Sequence, residues 1–177
     1  MSSNAFDRSK ILAARDERDR FLAEHYASPI LEEHRDDFAG AAYYEPDARF
    51  VFVGSFQEAA TTVTVPSSTG AVSAYHSVGV VRITIESTPY TLTVLDDGDG
   101  GAFLAFADGT NGDTTYGGGR YVGVETGDGG EAIIDFNRAA NPYCVYDDEY
   151  SCPLPPAGNT ITSRIEAGER MYRPTTG

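Results

Sequence analysis

Hydrophobic and polar positions change their period once along this chain, near Gly40. Before it, Phe6 to about Tyr26 is charged and helix-favouring. Ile11, Ala14, Phe21 and Leu22 fall at roughly helical spacing around Arg15 and Arg18, which predicts a modestly amphipathic helix. Ser28-Pro29 reads as an N-cap followed by proline at the first helical position, opening a second short helix to about Asp36. After Gly40 the period falls to two. Arg49–Phe56, Thr61–Val65, Ala71–Ser77, Gly79–Glu86, Tyr90–Leu95, Ala102–Phe106, Arg120–Glu125, Glu131–Phe136 and Thr160–Glu166 are about nine candidate strands. The links Pro66–Gly70, Ser87–Pro89, Asp97–Gly101 and Gly127–Gly130 are of hairpin length, so the strands are expected to be antiparallel sequential neighbours. The expected fold class is mainly β: an antiparallel meander closing into a small barrel or sandwich, with two N-terminal helices. Residues 1–40 form the helical segment packed on a β-rich body, 41–177, in a single structural domain.

Two connections are too long for hairpins, Asp108–Gly119 and Asn137–Asn159. Loops of this length inside a compact domain usually carry function, and here aromatic and proline residues argue for an anchored conformation. Both leave apolar strands, so a meander can bring them to one rim.

Charge narrows the partners. The chain has 27 acids against 13 bases, a formal net charge of −14, and Lys10 is its only lysine. Such a surface suits molar salt, where the Debye length falls to about 3 Å and self-repulsion is screened. We read it as the acidic surface of a halophilic protein. No basic cluster supports nucleic-acid binding. Met1–Lys10 has no apolar signal-peptide core and no run is long enough to span a membrane, so a soluble cytoplasmic protein without a membrane partner is expected. Nothing in the sequence calls for a cofactor.

Candidate chemistry gathers in the two long loops. The glycines before Arg120 allow backbone N–H groups to form an anion nest beside that arginine and Tyr121, although no helix follows as phosphate-binding motifs require. Asp97, Asp99, Asp108 and Asp113 lack the spacing of a calcium loop, which leaves only spatial convergence of Asp108, Asp113 and Asp135 as a route to a metal. Cys144 and Cys152 are two buried thiols or one disulfide. A zinc site would need ligands from His25, His34 or His76, which are distant in sequence. Strand alternation places Asp135 and Asn137 on one face, opposite Phe136, with Arg138 and Asn141 following. Facing an interior pocket, these are convergent polar groups of the kind that orient a small ligand. The structural alternative pairs Asp135 with Arg120 and uses Asn137 and Asn141 to clamp the loop. Arg15 and Arg18 are read as solvated.

The motifs Phe106-x-Asp108-x-Thr110-x-Gly112-x-x-Thr115-Tyr116-Gly117-Gly118-Gly119-Arg120-Tyr121, Asp135-Phe136-Asn137-Arg138-Ala139-x-Asn141-Pro142-x-Cys144-x-Tyr146, Cys152-Pro153-Leu154-Pro155-Pro156 with Asn159, and Ile165-x-Ala167-Gly168-Glu169 resemble the microbial family called domain of unknown function 1684. Ser28-Pro29 and Phe38-x-Gly40 resemble its N-terminal portion. Ala140 departs from the family pattern, which more often has an aromatic there. The resemblance implies that Gly118, Arg120, Asp135, Asn137, Asn141 and Cys144 belong to the family's motif core, and it implies no activity. Three functions follow as expectations. In the first, the protein binds a polar or anionic small molecule, with Arg120 and Tyr121 contacting it and Asp135, Asn137 and Asn141 orienting it. In the second, a hydrolase uses Asp135 as general base and Arg120 for an oxyanion. The third is a structural or interaction module without a pocket.

Overall fold

The computed structural model describes residues 5–173; Met1–Asn4, part of the segment read for a targeting signal, lie outside the described residues. Among the described residues no helix is long and apolar enough to cross a membrane. Helix α1 spans Arg8–Glu24, and Asp7 caps it by accepting from the Lys10 N–H at 3.1 Å. Ile11 and Leu22 are its buried side chains. The second helix of the sequence reading is absent. Ser28 instead closes α1, its hydroxyl donating to the Leu22 carbonyl at 2.6 Å and accepting from the Ile30 N–H at 3.1 Å. With the cap so engaged, the chain makes only a 3₁₀ turn over Glu32–Asp37.

Seven antiparallel strands follow among the described residues: β1 (Val51–Pro66), β2 (Val72–Ile85), β3 (Thr88–Asp96), β4 (Ala102–Phe106), β5 (Arg120–Gly123), β6 (Glu125–Thr126) and β7 (Glu131–Asp135). Their order in the sheet is β5-β4-β3-β2-β1-β7-β6. Two pairs of expected strands merge. Ala59 and Ala60 form a bulge inside β1, where the register shifts between Glu58 and Thr61, and Ser77 to Gly79 is a similar irregularity in β2. The expected strand Arg120–Glu125 splits between opposite ends of the sheet. β5 pairs with β4, β6 pairs with β7, and only Val124 separates them in the chain. The sheet therefore curls into a half-barrel.

Its inner face carries Val81, Ile83, Ile85, Leu92, Val94, Leu104, Val122 and Ile134, around edge-to-face rings of Phe106 and Phe136 with centroids 5.0 Å apart. Residues 160–166 are not a strand. Ile161 and Ile165 are fully buried in the core as alternation requires, but beyond one parallel bridge from Thr160 to Ala107 the backbone finds no ladder. One further backbone bond runs from the Gly109 N–H to the Ser163 carbonyl at 3.0 Å, and at Ile165 side chains take over: its N–H donates to Asp108 Oδ2 at 2.7 Å and its carbonyl accepts from Arg120 at 2.9 Å. The segment fills the concave face and turns an expected barrel lumen into core.

Candidate functional site

The expected loop residues divide into a buried frame and an open seam. Arg120 and Asp108 belong to the frame, with both side chains fully buried and paired at 3.3 Å. Arg120 also donates to the carbonyls of Ile165, Ala167 and Glu169, and its guanidinium lies 5.2 Å from the Phe106 ring centroid. Asp108 accepts from the Thr110 N–H and hydroxyl as well as from Ile165. The sequence alternative that paired Arg120 with Asp135 is replaced by Arg120 with Asp108. Burial lowers the Arg120 pKa from its ordinary value, against the field of Asp108. The three acids considered for a metal stay apart: Asp113 pairs with Arg164 at 3.0 Å and Asp135 with Arg138 at 3.4 Å. Among the described residues no group of three or more metal-ligating side chains converges. Tyr121 is half-buried; its hydroxyl donates to the Pro153 carbonyl and its backbone pairs with Ala140. The two long loops do meet, with the Cys144 thiol 3.8 Å from the Tyr116 hydroxyl.

Downstream of β7 the chain turns through Phe136–Arg138 because Asp135 caps it, Oδ1 accepting from the Asn137 N–H at 3.0 Å and from Asn137 Nδ2 at 2.9 Å. Asn137 then acts like a strand neighbour to Asp47, accepting from its N–H at 2.8 Å and donating to its carbonyl at 2.9 Å. Asn141 is buried on Glu169, donating from its backbone at 3.0 Å and from Nδ2 at 3.1 Å, while its Oδ1 has no partner. Glu169 was quoted only as part of a motif, yet it is the centre of this region. Its carboxylate is fully buried, pairs with Arg18 at 3.0 Å and accepts from the Tyr146 hydroxyl. Burial raises the Glu169 pKa, outweighing the opposing effects of Arg18 and the Asn141 donors.

Arg15 and Arg18 of α1 are partly buried rather than solvated as expected. Arg15 donates to the carbonyls of Tyr44 (2.7 Å) and Asn137 (3.1 Å) and lies 4.6 Å from the Tyr43 ring centroid, with its Nε buried and unbonded. Arg18 adds a bond to the Asn141 carbonyl at 3.1 Å. Burial lowers the Arg15 pKa, and no carboxylate pairs with it directly among the described residues. Between α1 and the 137–140 backbone lies a cleft of about 290 Å³, walled by Arg15, Arg18, Tyr43, Asn137, Arg138 and small residues. Three arginines and no carboxylate line it. A second cleft of about 440 Å³ opens on the other side of Arg138 and holds Asp135, Asp7 and Lys10. At the mouth of the half-barrel a third, about 590 Å³, has Phe50, Phe52, Ile85 and Ile165 below Arg49 and Arg164. Those two arginines are each paired, to Asp47 at 2.6 Å and to Asp113 at 3.0 Å. The sequence signal for the seam was the spacing Ile11, Arg15, Arg18, Leu22, a single helical stripe with two arginines inside it.

Fold and seam together define a curled antiparallel half-barrel with a filled interior, a buried polar frame around Arg120 and Asp108, and an arginine-lined seam beneath an N-terminal helix. The chain belongs to the family described as protein of unknown function (DUF1684), whose model matches residues 36–170. That range begins after α1, so Arg15 and Arg18 lie outside it. No curated protein matches the chain. Among solved structures it is similar to the solution NMR structure of the uncharacterized protein from gene locus rrnAC0354 of Haloarcula marismortui. The TM-score is 0.72, at 35% identity over 92% of each chain.

Proposed function

We propose that this protein binds a small anionic ligand, a carboxylate or a phosphate-like oxyanion, in the seam between α1 and residues 137–140. One observation carries the reading: in a chain of net charge −14, three arginines line the seam without a lining carboxylate, and while Arg18 and Arg138 are paired from behind and at the rim with Glu169 and Asp135, Arg15 has no carboxylate partner among the described residues and its Nε is buried without an acceptor. An unsatisfied buried donor costs about 1–3 kcal/mol, which a ligand oxygen at Arg15 would recover. Charge-assisted bonds to planar guanidinium groups also favour oxyanions over neutral polar molecules. Asp135 holds Arg138 at the rim, and Asn137 supplies the wall. Arg120, Tyr121 and Asn141 act from behind, fixing residues 139–141.

The acidic surface fits the same reading if the protein works in the salt-rich cytoplasm of a halophile, as its similarity to a Haloarcula protein supports. Molar salt screens the surface repulsion that would otherwise keep an anion away, leaving the desolvated seam arginines to act at short range. Nucleic acid and membrane have no part in it, and residues 1–40 belong to the same structural domain. A hydrolytic reading with Asp135 as general base has less support, because Oδ1 is engaged by Asn137 and Oδ2 by Arg138.

The test is a thermal-shift titration with phosphate, sulfate and malonate at fixed ionic strength in molar potassium chloride. At least one is expected to raise Tm saturably in the wild type, with the rise lost in Arg15→Met and reduced in Arg138→Gln. Circular dichroism verifies that both variants are folded. Equal responses in wild type and folded Arg15→Met would remove the seam as the site.

A further inference from the structure

Cys144 and Cys152 take no part in the seam. Cys144 lies in the 3₁₀ turn Tyr143–Val145 and is half-buried, whereas Cys152 is buried. The two residues are positioned from both sides. The Cys144 N–H donates to Cys152 Sγ at 3.3 Å, which sets the Cys152 sulfur against the Cys144 residue. Ser68, in the β1–β2 turn, fixes the Cys152 backbone: its hydroxyl accepts from the Cys152 N–H at 3.0 Å and its N–H donates to the Cys152 carbonyl at 2.9 Å. Cys144 is positioned by Tyr116 behind it and by the anchoring of Tyr146 on Glu169 just after it. The two thiols differ in access. Cys144 lines an open cleft of about 470 Å³ together with Leu31, His34, Tyr146, Asp147 and Tyr172; Cys152 is absent from that lining.

We propose that Cys144 and Cys152 are a redox-active thiol pair, in which a hydroperoxide entering this cleft oxidises Cys144 and Cys152 then closes an intramolecular disulfide. The sulfur of Cys144, its proton released to solvent, attacks the terminal peroxide oxygen. The O–O bond breaks, the sulfur becomes a sulfenic acid, and the alkoxide takes up a proton and leaves as an alcohol. Cys152 sulfur then attacks the sulfenic sulfur, and the displaced hydroxyl leaves with the Cys152 proton as water. Two thiols lose two electrons and the hydroperoxide gains them. Burial pushes the Cys152 thiol up to about 11, so it waits protonated while the accessible sulfur reacts first. With Cys152 Sγ already 3.3 Å from the Cys144 backbone nitrogen, little of the chain must move to form the bond, so resolution is faster than further oxidation. The product ties the 3₁₀ turn at Cys144 to the segment that grips the β1–β2 turn.

Treating the reduced full-length protein with hydrogen peroxide and measuring its intact mass tests this. The expected product is lighter by about 2 Da, has no titratable thiol under denaturation, and returns to the starting mass with a dithiol reductant. Cys152→Ser should accumulate a sulfenic acid that dimedone traps at Cys144, and in Cys144→Ser the remaining thiol should survive the same dose. Oxygen-adduct masses at Cys144 with Cys152 still free in the wild type would overturn the pairing. Oxidation of Cys144→Ser at the wild-type rate would overturn the order of attack.

Discussion

Replacing Arg120 by methionine decides whether its guanidinium is a frame element. The substitution keeps an unbranched apolar stem over Phe106 and removes four hydrogen bonds, to Asp108 and to the carbonyls of Ile165, Ala167 and Glu169. Breaking a buried ion pair from one side costs about 3–5 kcal/mol, because the partner stays buried and charged. Here Asp108 keeps the Thr110 and Ile165 donors, which places its share toward the lower end. The three stranded carbonyls add about 1 kcal/mol each, and release from burying a charge offsets part of that sum. The net expectation is a loss of about 5 kcal/mol, comparable with the whole stability of a modest domain. Urea denaturation in molar potassium chloride measures it without the added ionic strength of guanidinium. Adding Asp108→Asn should cost far less in the Arg120→Met background than alone, giving a coupling of about 2 kcal/mol or more. Amide exchange should quicken selectively over residues 165–169. A loss below about 1 kcal/mol, or strictly additive single losses, would refute the frame role and return Arg120 to candidacy as a ligand contact.

Two further outcomes follow from the same network. Burial sets the folded pKa of Glu169 above its ordinary value of 4.5, so the folded chain binds more protons there than the unfolded chain. Its contribution is fully present below 4.5 and is lost as pH rises through the folded pKa, so wild type should lose stability relative to Glu169→Gln over that interval and then level off. Urea midpoints of the two proteins across this range check the sign; a difference that grows in favour of wild type would show Arg18 and Tyr146 outweighing burial. Asn159 bridges β3 and β4 by accepting from the Thr93 N–H and donating to the Thr93 and Ala105 carbonyls, so Asn159→Leu should cost about 2–4 kcal/mol by urea denaturation. A cost near zero would mean that water replaces the bridge.

The β-rich body was legible because alternation reports which side chains are buried, and that pattern survives clearly in β2 and β7, though not along the exposed middle of β1 or in β6. What alternation does not report is the partner of the backbone. Residues 160–166 alternate like a strand because Ile161 and Ile165 must enter the core, yet their peptide groups go to scattered partners: Ala107 and Gly109 backbone, the Tyr90 hydroxyl, and Asp108 and Arg120 at Ile165. Similarly, Arg120–Glu125 reads as one strand and serves two neighbours at opposite ends of the sheet. Barrel closure and the filling of the lumen depend on such long-range choices, which no local period encodes.

The same reasoning explains why the loops drew attention before the helix did. Asp, Asn, Arg and Gly at close spacing mark a ligand loop and a self-satisfied loop equally, since both need side chains that bind backbone groups. Asn137, Asn141 and Asn159 each replace peptide pairing where irregular chain meets the sheet, and this is why they are buried. A side chain whose hydrogen bonds are spent on the fold has little left for a ligand. Arg15 is the contrary case. It approaches the core on a stripe begun and ended by Ile11 and Leu22, engages two carbonyls, and retains a buried nitrogen without an acceptor. Arg120 Nε is likewise buried without an acceptor, but its side chain is fully enclosed, whereas Arg15 lines a cleft. Functional promise in this fold therefore follows an unspent donor that borders open space, and that donor lies under α1 rather than in the loops dense with polar motifs.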